Sequence, residues 1–155
     1  MAIITREEAS EVYIIPPHSR SENRIDVNRP TIGVDLSGYK VFTAHSDPNR
    51  NEIRQTIAKV ARFMTYDNQC QHKRWIIMGD FNTANIPDPP RFPGCFAEKV
   101  APRQMTHPNK KRPGTGTIID YAIFGGPNSF KGTLQANTKT GDGSSDHWPV
   151  EILPK

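Results

Sequence analysis

Apolar residues fall into short, β-branched runs separated by Gly, Pro, Asn and Asp, at Ala2–Thr5, Glu11–Ile15, Thr31–Asp35, Lys40–Ala44, Trp75–Gly79, Thr117–Phe124 and Trp148–Leu153. Runs of this kind bounded by turn formers predict strands. Between the fourth and fifth, Ile53, Ile57, Val60 and Met64 recur at spacings of four, three and four. That stripe predicts one helix, Asn51 to about Met64, packed on a sheet. From Thr83 to Thr115 the periodicity stops. Pro87, Pro89, Pro90, Pro93, Pro102, Pro108 and Pro113 exclude a long helix or a central strand there. Many strands with one or two helices imply an α+β fold, a two-sheet β-sandwich flanked by helices.

At 155 residues one domain, 1–155, is expected. Mean hydropathy is low at -0.64, but the apolar residues are concentrated in strand-length runs, so a folded chain with long polar loops is implied. A net charge of +4 favours approach to a polyanion and decides little alone. Asn109-Lys110-Lys111-Arg112 concentrates that charge in the Pro-rich region, where a solvated loop tip is its ordinary explanation. Cys70 and Cys95 fit no zinc spacing, leaving one disulfide or two thiols open. No apolar run approaches the roughly 20 residues of a membrane span, and the first residues lack the basic and apolar regions of a signal peptide.

Four strand ends carry groups able to do chemistry. Trp75-Ile76-Ile77-Met78-Gly79-Asp80-Phe81-Asn82 runs from apolar to polar, and in extended chain Asp80 and Asn82 point the same way. A carboxylate can orient water or bind a hard cation, and an amide can donate to a phosphate oxygen. Gly143-Ser144-Ser145-Asp146-His147-Trp148-Pro149-Val150 offers a metal ligand beside an imidazole. In Ile118-Ile119-Asp120-Tyr121-Ala122-Ile123 a carboxylate interrupts an apolar run, so it either faces solvent or has a partner. His45 ends Val41-Phe42-Thr43-Ala44. Each has a plain structural explanation as a turn or strand-end residue. Together they supply what metal-assisted phosphodiester hydrolysis needs.

Gly79-Asp80-Phe81-Asn82 followed by Ser145-Asp146-His147-Trp148-Pro149-Val150 resembles the endonuclease/exonuclease/phosphatase superfamily of deoxyribonuclease I-like proteins. Arg29-Pro30-Thr31-Ile32-Gly33-Val34, Phe42-Thr43-Ala44-His45, Ile119-Asp120-Tyr121-Ala122 and Ser144-Ser145-Asp146-His147 narrow the resemblance to the CdtB family of the cytolethal distending toxins. It runs from about Ala2 to Val150. The resemblance implies an active site opening at one edge between two sheets. It also implies roles: Asp80 orients or activates water, Asn82 binds the scissile phosphate, and Asp146 belongs to the metal or phosphate site. Asp120 would hydrogen-bond His147 and favour its protonated form, His45 would protonate the leaving oxygen, and Arg50, at a helix start, would meet DNA backbone.

In that family an N-terminal portion precedes the segment resembling Ala2–Ile15 and supplies an Asn and the main metal-binding Glu. Neither is found in this sequence, and Glu7 and Glu8 lack the Glu's context. A partial domain is therefore expected, with a sheet edge or face left uncovered. The activity implied is Mg²⁺-dependent hydrolysis of DNA phosphodiesters. The alternatives are a phosphoinositide or sphingomyelin phosphodiesterase of the same fold, for which Phe92 and Phe96 are candidate exposed apolar residues, and a non-catalytic remnant or binding module. The resemblance further implies DNA, toxin delivery subunits or a complementing N-terminal chain as partners, with secretion and action in a target-cell nucleus.

Overall fold

The structure is a computed structural model that describes residues 3–16, 29–46, 50–65, 71–85, 94–140 and 145–155, the side chains of 50–52 apart. In chain order its elements are β1 (Glu11–Ile15), β2 (Thr31–Leu36), β3 (Tyr39–His45), α1 (Arg50–Thr65), β4 (Arg74–Asp80), β5 (Cys95–Val100), β6 (His107–Pro108), β7 (Gly116–Thr117), β8 (Asp120–Pro127), β9 (Leu134–Thr138) and β10 (Val150–Pro154). Six strands form a mixed sheet in the order β1-β2-β3-β4-β8-β5, while β9 and β10 form a second sheet and β6 and β7 a short hairpin. In the large sheet only β3 and β4 are parallel, and α1 is the crossover between them.

Strand alternation divides the side chains of the large sheet between two cores. Phe42 and Ala44 of β3, Trp75 and Ile77 of β4, and Tyr121 and Ile123 of β8 pack with Ile53, Ile57, Val60, Ala61 and Met64 of α1. The four residues of the predicted stripe are each 0–1% exposed. Burying such side chains contributes roughly 1.5–3 kcal/mol apiece, and this packing, more than propensity, holds a helix of this length. Ile76, Ala122 and Phe124 face the other way, against Val41, Met78, Leu134, Ala136 and Ile152, so the β9–β10 sheet covers this second face. The result is the two-sheet sandwich with a helix outside.

Several expectations change. Ile3–Thr5 is not a strand, and Ile4 is 95% exposed, with no ladder partner among the described residues. The run from Thr117 to Phe124 divides into β7 and β8 because the Thr106 hydroxyl accepts the N–H groups of Ile119 and Asp120, each at 3.0 Å. β5 forms inside the Pro-rich region, at the sheet edge where the prolines do not interrupt a central ladder, and β9 was hidden by its polar composition, Leu-Gln-Ala-Asn-Thr. Phe96 is consequently buried, edge-on to Phe124, and offers no apolar loop; Phe92 lies outside the described residues. Cys95 is disulfide-bonded, which decides between the two cysteine readings, and Cys70 lies outside the described residues. β1 is the other edge strand, and its Val12 and Ile14 are 68% and 72% exposed.

Candidate active site

The central strands end in one row. His45 closes β3, Asp80 closes β4 and Asp120 opens β8, with His45 opposite Asp80 and Asp80 opposite Asp120 in the ladders. Residues in register share a face. Asp80 has the parity of Ile76 and Met78, and Asp120 that of Ala122 and Phe124, so the row lies on the face that β9–β10 covers. It therefore emerges at the edge between the sheets, where Ser145–Pro149 leads into β10. Gly79 makes the approach of β3 and β4 possible there: its φ is 151°, and a Cβ would lie 1.9 Å from the Ala44 carbonyl oxygen.

Within the row each oxygen of Asp80 has a separate task. Oδ1 accepts the Asn82 backbone N–H at 2.8 Å, which fixes the carboxylate. Oδ2 faces two imidazoles, His45 Nε2 at 3.8 Å and His147 Nε2 at 3.9 Å. Asn82 departs from the extended geometry expected of it, because β4 stops at Asp80 and Asn82 takes φ 52°, a left-handed conformation Asn tolerates. Its amide nitrogen donates to the Ser46 carbonyl at 2.9 Å, leaving a second amide hydrogen for a ligand. The Arg29 guanidinium contacts His45 Nδ1. Arg can only donate, so it favours the His45 tautomer whose proton is on Nε2, toward Asp80.

Of the two readings of Asp120, solvent-facing or partnered, the structure shows the second: its Oδ2 lies 2.9 Å from His147 Nδ1. Burial pushes the His147 pKa down, but the hydrogen bond to Asp120 and the charges of Asp120, Asp80 and Asp146 outweigh it and hold the imidazole above its ordinary value. Thr106, fully buried, joins these pieces. Its hydroxyl holds the start of β8, its N–H donates to the Thr117 carbonyl at 2.9 Å, and its carbonyl accepts the Trp148 N–H at 2.7 Å. Asp146 is exposed, with Oδ2 3.9 Å from His107 Nε2, and the His107 ring centroid is 4.9 Å from that of His147.

No protein-family model and no curated protein sequence matches the chain. Among solved structures it is similar to CdtB, the biologically active subunit of cytolethal distending toxin, with 25% identity and a TM-score of 0.70, over 96% of this chain and 58% of that one. The cytolethal distending toxin of Haemophilus ducreyi superposes with a TM-score of 0.70 at 20% identity, covering 97% and 60%. The mannosyl-6-phosphatase Bt3783 of Bacteroides thetaiotaomicron VPI-5482 follows with a TM-score of 0.53 at 17% identity, covering 94% and 67%. The chain has a CdtB-like, deoxyribonuclease I-type fold. It spans about 58–60% of the toxin chains it matches.

On this CdtB-like fold, two overlapping groups of described residues could hold a metal ion, Asp80 with Asp120 and His147, and His107 with Asp146 and His147. Five of the predicted site residues thus meet at one place: His45, Asp80, Asp120, Asp146 and His147. Asn82 adjoins them through Asp80. Arg50 begins α1 as expected, and its side chain lies outside the described residues. Sequence reasoning missed His107, Thr106 and Arg29. His107 sits in a Pro-rich stretch with no strand pattern, nothing local marks Thr106 as buried, and nothing beside Arg29 in the sequence points toward His45. No helix among the described residues is long and apolar enough to cross a membrane.

Proposed function

We propose that this chain hydrolyses phosphodiester bonds of DNA with the help of a divalent cation, Mg²⁺ in the first instance. The observation that carries the reading is Asp80 Oδ2 presented between the Nε2 atoms of His45 and His147, with His147 anchored on Asp120. A hard cation draws on oxygen ligands, and the carboxylates of Asp80, Asp120 and Asp146 around His147 fit that need. When bound, the cation would neutralise charge on the phosphate oxygens.

The side chains divide the remaining work. Asp80 orients a water and accepts its proton as the water oxygen bonds to phosphorus. His147, whose carboxylate neighbours favour its protonated form, donates to a phosphate oxygen and stabilises the charge that grows there. His45 turns its Nε2–H toward the site and hydrogen-bonds the leaving sugar oxygen as the P–O bond breaks, that oxygen taking its proton from water. The second amide hydrogen of Asn82 suits a phosphate oxygen, and Arg50 at the start of α1 suits the flanking DNA backbone. The likeness to CdtB supports a secreted effector that acts on DNA in a target-cell nucleus, with delivery subunits as partners. The exposed apolar face of β1 supports a complementing chain segment at that edge.

Conversion of supercoiled plasmid to nicked circles, with and without Mg²⁺, tests the reading. Mg²⁺-dependent nicking is expected, reduced by about 10²–10⁴ in His147→Ala and in Asp80→Ala. A folded chain that does not nick, or variants that nick undiminished, would overturn it. Turnover of a phosphomonoester in place of plasmid would move the site toward the chemistry named for the Bacteroides relative.

A further inference from the structure

Beside the catalytic row the chain builds a groove whose hairpin end the hydrolytic chemistry does not use. It has a volume of about 610 Å³, and its lining runs from Asp146 and His107 at the site to Asn109, Lys110 and Lys111 on the β6–β7 hairpin. The tip is an ordered turn. The Asn109 N–H donates to the Thr115 carbonyl at 2.8 Å, the Thr115 N–H to the Arg112 carbonyl at 3.1 Å, and the Lys111 N–H to the Asn109 side-chain oxygen at 2.9 Å. Gly116 keeps the two strands close, since a Cβ there would lie 2.5 Å from the His107 carbonyl oxygen.

The charges along this groove change sign. Carboxylates cluster at the catalytic end, where a cation is wanted. At the hairpin end Lys110, Lys111 and Arg112 are exposed, and none has a salt-bridge partner among the described residues. A turn tied by its own backbone bonds holds three cations close together, so it presents a concentrated positive charge suited to phosphate. Residues 109–117 are all exposed, so the groove is open along the hairpin. An enclosed socket would suit one compact polyphosphate; an open groove suits a chain that passes through.

We infer that the β6–β7 hairpin is a second phosphate subsite, which holds the backbone of a polynucleotide on one side of the phosphate that lies at the catalytic row. The inference rests on the phosphodiesterase reading for its substrate class, but its test is of binding alone. Each phosphate neutralised on duplex DNA contributes about 0.9 to the slope of log K against log salt.

The experiment measures fluorescence anisotropy of a labelled duplex of about 20 base pairs with the whole chain in EDTA, from roughly 0.05 to 0.3 M NaCl. The variants are Lys110→Gln/Lys111→Gln/Arg112→Gln and Lys131→Ala. Lys131 follows β8 at the end opposite Asp120, so it controls for charge removed elsewhere. The triple variant is expected to flatten the slope by about 2–3 and to weaken binding roughly tenfold or more at the lowest salt. Lys131→Ala is expected to keep the wild-type slope. An unchanged slope in the triple variant, or an equal loss in both, would overturn the subsite. Displacement of the duplex by equimolar inositol hexakisphosphate, lost in the triple variant, would overturn the polynucleotide assignment in favour of a compact polyphosphate. Because EDTA removes the cation, failure to nick plasmid sinks the hydrolytic reading and leaves this measurement intact.

Discussion

Replacing Asp120 by Asn tests the electrostatics of the site while keeping its shape. An Asn oxygen can still accept from His147 Nδ1 at the 2.9 Å now spanned by the carboxylate, so the variant removes charge and little else. The His147 pKa is raised from 6.5. For a histidine with a raised folded-state pKa, the extra stability is complete below the ordinary value and disappears as pH rises through the folded value. A hydrogen bond to a charged group contributes about 1.5–3 kcal/mol and a neutral one about 0.5–1.5. The side chains of His147 and Asp120 are 30% and 19% exposed, and solvent screening trims the difference to about 1 kcal/mol. At pH 5 the Asn variant is therefore expected to unfold in urea with its midpoint lower by about 0.5 M, and at pH 9 the gap should narrow. The ¹H–¹³C correlation of His147 Cε1–H gives the direct check: its titration midpoint should lie above that of a free imidazole in the wild type and fall in the variant. Equal urea shifts at pH 5 and pH 9, with an unmoved His147 titration, would refute the charge coupling.

Two other perturbations address the groups that sequence reasoning missed. Thr106→Val leaves the N–H groups of Ile119 and Asp120 without their acceptor, and is expected to cost about 1–3 kcal/mol by urea unfolding; Thr106→Ser should restore most of it. Imidazole nitrogens suit Zn²⁺ better than Mg²⁺, so Zn²⁺ is expected to engage His107, Asp146 and His147. Calorimetric titration should show Zn²⁺ affinity falling about tenfold in His107→Ala, while an unaltered isotherm would remove His107 from that set.

Strands and helix were legible because their residues answer to one neighbour shell. The stripe Ile53, Ile57, Val60 and Met64 is buried against β3, β4 and β8, and the pattern that announced it is the pattern that packs. Asp120 was half-legible: a carboxylate in an apolar run either faces solvent or has a partner, and the structure supplies His147 as the partner. β9 was not legible: Leu134, Ala136 and Thr138 alternate with exposed Gln135 and Asn137, but the inward face is only half-buried and carries a single large apolar residue. His107 was not legible because its place depends on a two-residue strand pairing across nine intervening positions, where local composition shows only turn formers and basic residues. The left-handed turn at Asn82 was half-visible: Asn after a strand end signals a turn, which competes with the extended reading that put its side chain beside that of Asp80.

The site combines two kinds of support. His45, Asp80 and Asp120 are fixed by strand register, so their spacing follows from ladders that continue deep into the sheet. His147 is not on a strand; it stands in the segment before β10 and depends on Asp120 and on the Trp148 N–H held by Thr106. Thr106 is also tied to Thr117 at the base of the basic hairpin. One buried threonine therefore anchors both the segment that carries the imidazole and the hairpin that carries Lys110, Lys111 and Arg112. Disturbing it should move the phosphate end of the groove and the imidazole together, whereas strand substitutions remote from it should move neither.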